Sequence, residues 1–234
     1  MVLARGLRFR FSKGPEIRFI SHLDLARTME RAVRRAKLPI AFSQGFHPFP
    51  KIVFATALAV GWTSSGEYMD LQFTEDLPPL EGLKKLKAVL PSGLAIMEAT
   101  SLAPDAPGLA VIVNAAAYSL TPQSTDLEGL RERTAAVLAA HELMITKPTK
   151  KGPRQRDIRP LLYELKVQTD QSQPVIHLLC ACGASGNLRP DQLLPFLNLS
   201  GEDTDVHREQ LYHRSESGLV TPIDRKKGDG RYEQ

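Results

Sequence analysis

Near the start of the chain, Leu7, Phe9 and Phe11 alternate with Arg8 and Arg10, a period of two that predicts a strand with one apolar and one cationic side. The period then changes. Ala26, Met29, Val33 and Ala36 recur at helical spacing behind Ser21 and Asp24, a capping-box-like start, and Pro39 ends the helix. Ile40 to Phe42 reads as a short buried strand, and SQGFHPFPK, residues 43–51, as an ordered Gly/Pro loop. Strands are predicted in IVFATALAVG and GEYMDLQFT, a helix in PPLEGLKKLKAVLP with Leu80, Leu83, Leu86 and Leu90 inward, and a strand in LAIMEATSL.

Beyond PDAPG, residues 104–108, the order repeats. GLAVIVNAAAYSL is a predicted strand, and STDLEGLRERTAAVLAAH a capped helix with Leu127, Leu130, Ala135 and Leu138 inward. LMITKPTKK and RPLLYELKVQ read as strands around a charged loop, PVIHLLCAC as another strand, LRPDQLLPFL as a short helix and HREQLYHR as a last strand. The fold class expected is α+β, with tandem ferredoxin-like (βαββαβ-type) domains and antiparallel sheets. Residues 1–103 form the first domain, 104–108 a linker, 109–216 the second domain and 217–234 a flexible tail. The halves share this pattern but no sequence identity.

A chain of 234 residues, 42% of them hydrophobic, is long enough for two domains that each bury a core. It has no apolar run long enough to span a membrane, and MVLARGLRFRF lacks an apolar signal core, so a cytoplasmic protein is expected. Cys180 and Cys182, the only cysteines, read as buried thiols rather than a disulfide or metal clip. The formal charge of +4 is unevenly spread. Residues 1–60 hold eleven Lys/Arg against three acids, a net +8, so the rest of the chain sums to −4. Such asymmetry suggests a basic face for a polyanion, and a solvated helix with pairs such as Glu30 with Arg34 is the alternative.

The candidate chemistry gathers in residues 20–51. Ser21 and His22 sit at the predicted helix start, a place suited to an anion. Arg27, Arg31, Arg34 and Arg35 line a face of that helix, and the loop behind it brings Ser43, Gly45, His47 and Lys51. A second basic cluster, KPTKKGPRQRDIRP, carries Lys147, Lys150, Lys151, Arg154, Arg156 and Arg159 against the single acid Asp157, and reads as a mobile loop or a phosphate-contacting finger. His22 and His47 are the candidate general acid and base for metal-free RNA cleavage, with Lys and Arg for the phosphorane. Whether the chain catalyses anything stays open. Glu67 and Asp70, three apart on a strand, face opposite sides. His207 and His213 share a side but lack a third ligand, so no metal and no cofactor are expected. Trp62 and Tyr68 could stack on bases, yet aromatics beside a strand end are more often core.

The run ISHLDLARTMERAVRRAKLPIAFSQGFHPFPKIVFATALAVGWTSSGEYMDLQF resembles the start of the radical-SAM-linked protein family of unknown function, found alone or at the carboxyl end of radical SAM proteins. The shared features are Ser21 to Leu25, Leu38 and Pro39, Ser43 to Phe46, Pro48 to Lys51, Leu58 to Gly61 with Ser64, and Glu67 to Asp70; residues 187–194 and 207–212 match its carboxyl half. Members often read Asn-Pro-His-Pro where this chain has His47, Pro48, Phe49 and Pro50. The resemblance implies a radical SAM protein as partner, in cis or in trans. With only two cysteines, this chain cannot itself carry the three-cysteine cluster motif of such a partner. The expectation is an RNA-binding accessory protein, for tRNA- or rRNA-type RNA. The alternatives are a protein-interaction module that docks on a radical SAM enzyme without nucleic acid, and a metal-independent endoribonuclease using His22 and His47.

Overall fold

Burial follows the predicted alternation of the first strand, but both of its sides are covered. β1 (Gly6–Lys13) pairs antiparallel with β3 (Thr63–Gln72) on one side and β4 (Leu94–Leu102) on the other. Leu7, Phe9 and Phe11 stand opposite Leu71, Met69 and Glu67, and on this face they join the core formed with α1 (His22–Arg35) and α2 (Pro79–Lys87). Gly82 lets α2 pack closely on the sheet, since an added Cβ would stand 2.9 Å from the Leu7 side chain.

On the opposite face, the expected cationic side of β1 is split: Arg10 is half-buried, whereas Arg8 lies in a buried ion pair. Arg8 is 4% exposed, and its guanidinium grips Asp70 at both oxygens, with Nε–Oδ1 at 2.7 Å and Nη2–Oδ2 at 2.8 Å. It also donates to the carbonyls of Pro107 and Pro222 at 3.1 Å each. Burial holds the Asp70 carboxyl above its ordinary value, with the Arg8 hydrogen bonds and charge pulling the other way.

The computed structural model describes residues 6–123, 126–149, 152–170, 173–184 and 186–224. The chain divides into two units. The described part of one comprises residues 6–113 and 210–224, and the other runs from 114 to 209. The division therefore falls at 113/114 and again inside β10 (Thr204–Ser215), not at the anticipated linker 104–108. In the first unit the order along the sheet is β4-β1-β3, with the short β2 (Ile52–Phe54) antiparallel to the end of β3. The described part of the anticipated loose tail is tied down, because β11 (Gly218–Val220) pairs with residues 213–215 of β10. The second unit orders its strands β10-β5-β9-β8, from β5 (Ala115–Pro122), β8 (Leu162–Asp170), β9 (Gln173–Ala181) and residues 204–209. Within it, β5 pairs antiparallel with β9 and β9 with β8. Its helices are α4 (Leu127–Ala139) and the single turn α5 (Pro190–Leu193). Mixed α+β structure built on antiparallel sheets is thus the fold class.

Several elements depart from their predictions. Ile40 and Phe42 make only isolated bridges, to Phe73 and Pro50, and Phe42 is 43% exposed. The apolar run after Val53 leaves β2 at Phe54, and Leu109–Ile112 is a helical turn, α3, rather than the start of a strand. Leu80 points outward while Leu86 is fully buried. In α4 the inward residues are Leu130, Thr134 and Val137, so its buried stripe is rotated from the one anticipated. Cys180 and Cys182 are buried free thiols.

Candidate nucleic-acid interface

α1 forms because its apolar residues recur once per turn and its first turn is capped. The Ser21 hydroxyl accepts from the Asp24 backbone N–H at 3.1 Å and donates to the Asp24 carboxylate at 2.7 Å. Asp24 therefore already supplies negative charge at the helix end anticipated to receive an anion. Ser21→Ala should cost about 0.5–2 kcal/mol of stability through the lost cap, read from a denaturant melt.

At about 100° per residue, Arg27, Arg31, Arg34 and Arg35 span an arc of roughly 100° that lies almost opposite the stripe of Leu25, Met29, Ala32, Val33 and Ala36. All four arginines are exposed. Arg27 reaches Asp24 at 3.4 Å across open solvent, a pair worth little. For Arg31, Arg34 and Arg35 no side-chain hydrogen bond or ion pair forms among the described residues, so the pairing of Glu30 with Arg34 does not occur.

His22 falls on the other side of this helix. Its ring stands edge-on to Phe54, centroids 5.4 Å apart, and its Nδ1 is shielded from solvent without a hydrogen-bond partner among the described residues. It does not join the arginines.

Residues 41–51 form a narrow tongue. The Ala41 N–H donates to the Gln72 carbonyl and the Lys51 N–H to the Ala41 carbonyl, both at 2.8 Å; the Ser43 N–H donates to the Phe49 carbonyl at 2.9 Å. The Ser43 hydroxyl accepts from the Phe49 N–H at 3.1 Å, and Gly45 turns the tip at φ 127°. Phe42, Phe46, His47 and Phe49 are left in solvent, Phe46 completely. Three phenylalanines crowded between Gly and Pro were the sequence signal for this surface, and reading the segment only as an ordered loop missed it.

Lys51 is exposed at the base of the tongue and lines a cavity of about 390 Å³ together with Asp70 and Gln72. Asp70 shares its face with Arg8, opposite the face where α1 packs. The expected convergence of the helix arginines, His22, His47 and Lys51 on one hollow is therefore not formed. The sheet separates Lys51 from α1, and the arginines point away from the sheet altogether.

The second basic cluster is a hairpin rather than a loop. β6 (Met144–Thr149) and β7 (Gly152–Asp157) pair antiparallel as an isolated two-stranded ribbon. Lys147 stands directly opposite Arg154, and Ile145 opposite Arg156, so period two gathers these three cations on one face. No ion pair forms for any of them among the described residues. Lys150 and Lys151 lie outside the described residues. Arg159, counted in the same cluster, is used by the fold, donating to the carbonyls of Ala140 and Leu138 at the end of α4. Asp157 accepts from the backbone N–H groups of Leu143 and Arg159 and is thereby held below its ordinary value.

Two further candidates are held by the fold. Tyr68 is buried, its hydroxyl donating to Gln210 at 3.0 Å, and burial pushes its pKa up to about 12. His213 Nδ1 lies 2.9 Å from the Ile112 carbonyl. Among the described residues no three His, Cys, Asp or Glu side chains come together as metal ligands, and no helix is long and apolar enough to cross a membrane.

Residues 6–190 match a family model described as "Uncharacterized protein conserved in bacteria (DUF2344)". No curated protein matches the chain. Among solved structures, the chain is similar to one titled "Crystal Structure of a Cbf5-Nop10-Gar1 Complex", at 9% identity and a TM-score of 0.48, covering 92% of this chain and 52% of that one. It thus spans about half the length of that structure. A structure of an unknown protein from Galdieria sulphuraria aligns at 11% identity and a TM-score of 0.27, over 93% of this chain and 99% of the other.

Proposed function

The chain belongs to that bacterial family, and we propose that it is a cytoplasmic RNA-binding accessory protein, for tRNA- or rRNA-type RNA, that serves a radical SAM partner in cis or in trans. The observation that carries this reading is the set of cations without carboxylate partners among the described residues: Arg31, Arg34 and Arg35 on the outward face of α1, and Lys147, Arg154 and Arg156 on one face of the β6/β7 ribbon. Like charges placed directly opposite on a ribbon, as Lys147 and Arg154 are, cost stability unless something negative lies on them. An exposed cationic helix face and a projecting basic ribbon both suit phosphates. The strand orders β4-β1-β3 with β2 on β3, and β10-β5-β9-β8, support the tandem ferredoxin-like reading of the two units, with the ribbon inserted between α4 and β8.

A second reading is favoured by the tongue, whose exposed Phe42, Phe46 and Phe49 could dock on a radical SAM enzyme without nucleic acid. Endonucleolytic use of His22 and His47 has no such support, since His22 packs on Phe54 while His47 stands in solvent on the tongue. The test is to purify the native chain and a Lys147→Glu/Arg154→Glu variant under matched conditions and sequence the copurifying nucleic acid. A defined RNA species enriched with the native chain and depleted at least tenfold with the variant is expected. Equal, sequence-random recovery from both would end the RNA reading.

A further inference from the structure

The cavity beside the tongue is absorbed by none of the cation clusters. It is lined by Phe49 and Lys51, by Asp70 and Gln72 of β3 and by the segment after β4, including Pro104. At about 390 Å³ it falls within the range of small-ligand sites, which begins at about 300 Å³. The polar groups it presents are few and specific. Asp70 spends its charge on Arg8, each oxygen accepting one guanidinium N–H, and each keeps a lone pair able to accept a further bond. Gln72 is exposed and two residues further along the strand, hence on the same face, and its side-chain amide has no partner among the described residues. Lys51 is exposed and unpaired among the described residues. With Arg8 and Asp70 neutralising one another, Lys51 leaves the cavity with a single uncompensated positive charge.

We infer that this cavity takes one unpaired nucleotide of an RNA strand, the base stacked on Phe49 with its edge towards Gln72 and Asp70, and the phosphate on Lys51. The inference rests on the RNA reading and specifies it, because a duplex cannot present a splayed base. Each group meets a different part of the nucleotide. An exposed phenylalanine ring stacks on any base face. A free carboxamide both donates and accepts, as a base edge does, and a carboxylate with a spare lone pair accepts from an exocyclic amine. An ammonium without a carboxylate partner meets the phosphate. An apolar peptide would satisfy Phe49 but leave Gln72 and Lys51 unmatched.

Fluorescence anisotropy with a short mixed-sequence single-stranded RNA and a blunt RNA duplex tests this. The proteins compared are the native chain, Phe49→Ala, Gln72→Ala and Arg31→Glu/Arg34→Glu, all at surface positions, with thermal melts as the folding control. Phe49→Ala should weaken single-strand binding by roughly 5- to 100-fold, the range of one base stack, and leave duplex binding unchanged. Gln72→Ala should weaken it by about tenfold. The arginine reversal should weaken both RNAs. If the reversal weakens binding while Phe49→Ala and Gln72→Ala bind the single strand like the native chain, the cavity assignment fails and the RNA reading survives. If no RNA binds, the RNA reading fails, and titration with nucleoside monophosphates followed by NMR decides the cavity on its own. Saturable shifts at the Gln72 side-chain amide that disappear in Phe49→Ala uphold the site, and their absence overturns it.

Discussion

Asp70→Ala should be among the most damaging single substitutions in the first unit, costing about 3–5 kcal/mol, the range for removing one partner of a buried pair. In a chain of this length that lowers the melting temperature by on the order of 10 °C. The reason is the partner left behind. Arg8 is 4% exposed and holds its place through two bonds to Asp70 and two to the carbonyls of Pro107 and Pro222. Without the carboxylate, a buried guanidinium keeps its charge and loses its counterion. Arg8→Met/Asp70→Leu removes both charges and should recover most of the loss, so the double-mutant cycle carries a large coupling term. A single Asp70→Ala variant melting within a few degrees of the native chain would show that water reaches Arg8 and that the pair is not closed.

The two carboxylates with displaced pKa values respond to acid in opposite senses. Burial holds Asp70 above its ordinary 3.8, so the native state takes up a proton there more readily than the unfolded chain, and acidification through that raised value does not remove stability through this group. Asp157 is held below 3.8 by two backbone N–H groups, and the stability it contributes is present above 3.8 and lost as the pH falls through its lower folded value. Since Asp157 anchors the foot of the ribbon, acid should weaken the ribbon's attachment there, seen as faster amide exchange in β6 and β7 at low pH.

How much of this was legible in the sequence differs by element. α1 was readable to its cap, because Ser21, Asp24 and one apolar residue per turn are local signals. The opposition of His22 to the arginines was also there in the numbering, since about 100° per residue puts His22 on the buried side; proximity along the chain was mistaken for proximity in space. Other features depend on partners that no local pattern names. Arg8 and Arg10 looked solvated because alternation reports two faces but not what covers the second, and only the fold brings Asp70, Pro107 and Pro222 to Arg8. β6 was legible, but β7 was read as a charged loop, because GPRQRD is polar throughout and its Pro153, opposite Pro148 near the tip, ordinarily argues against a strand. In α4, Thr134 occupies the buried stripe, so counting leucines and alanines rotated the helix away from its true face.

Replacing Arg27, Arg31, Arg34 and Arg35 together with glutamine separates a structural role of the α1 face from a binding one, since the two predict opposite signs. On this helix Arg27 and Arg31, and Arg31 and Arg35, are four apart and Arg31 and Arg34 three apart, spacings at which like charges repel by about 0.2–0.5 kcal/mol each. Against this stand only the exposed contact of Arg27 with Asp24 and the attraction of Arg34 and Arg35 to the helix end, each worth about 1 kcal/mol or less. Stability should therefore change little, with the melting temperature staying within a few degrees. RNA affinity should fall by at least a hundredfold, each phosphate contact contributing about 1 kcal/mol or more. The slope of log affinity against log salt should also flatten by about 3, from four lost phosphate contacts at roughly 0.7–0.9 each. A large drop in melting temperature with unchanged RNA affinity would make the arginines part of the fold and remove this face from the interface. Unchanged stability with lost affinity would mark the four guanidinium groups, which repel one another on one exposed arc, as a binding face rather than a structural one.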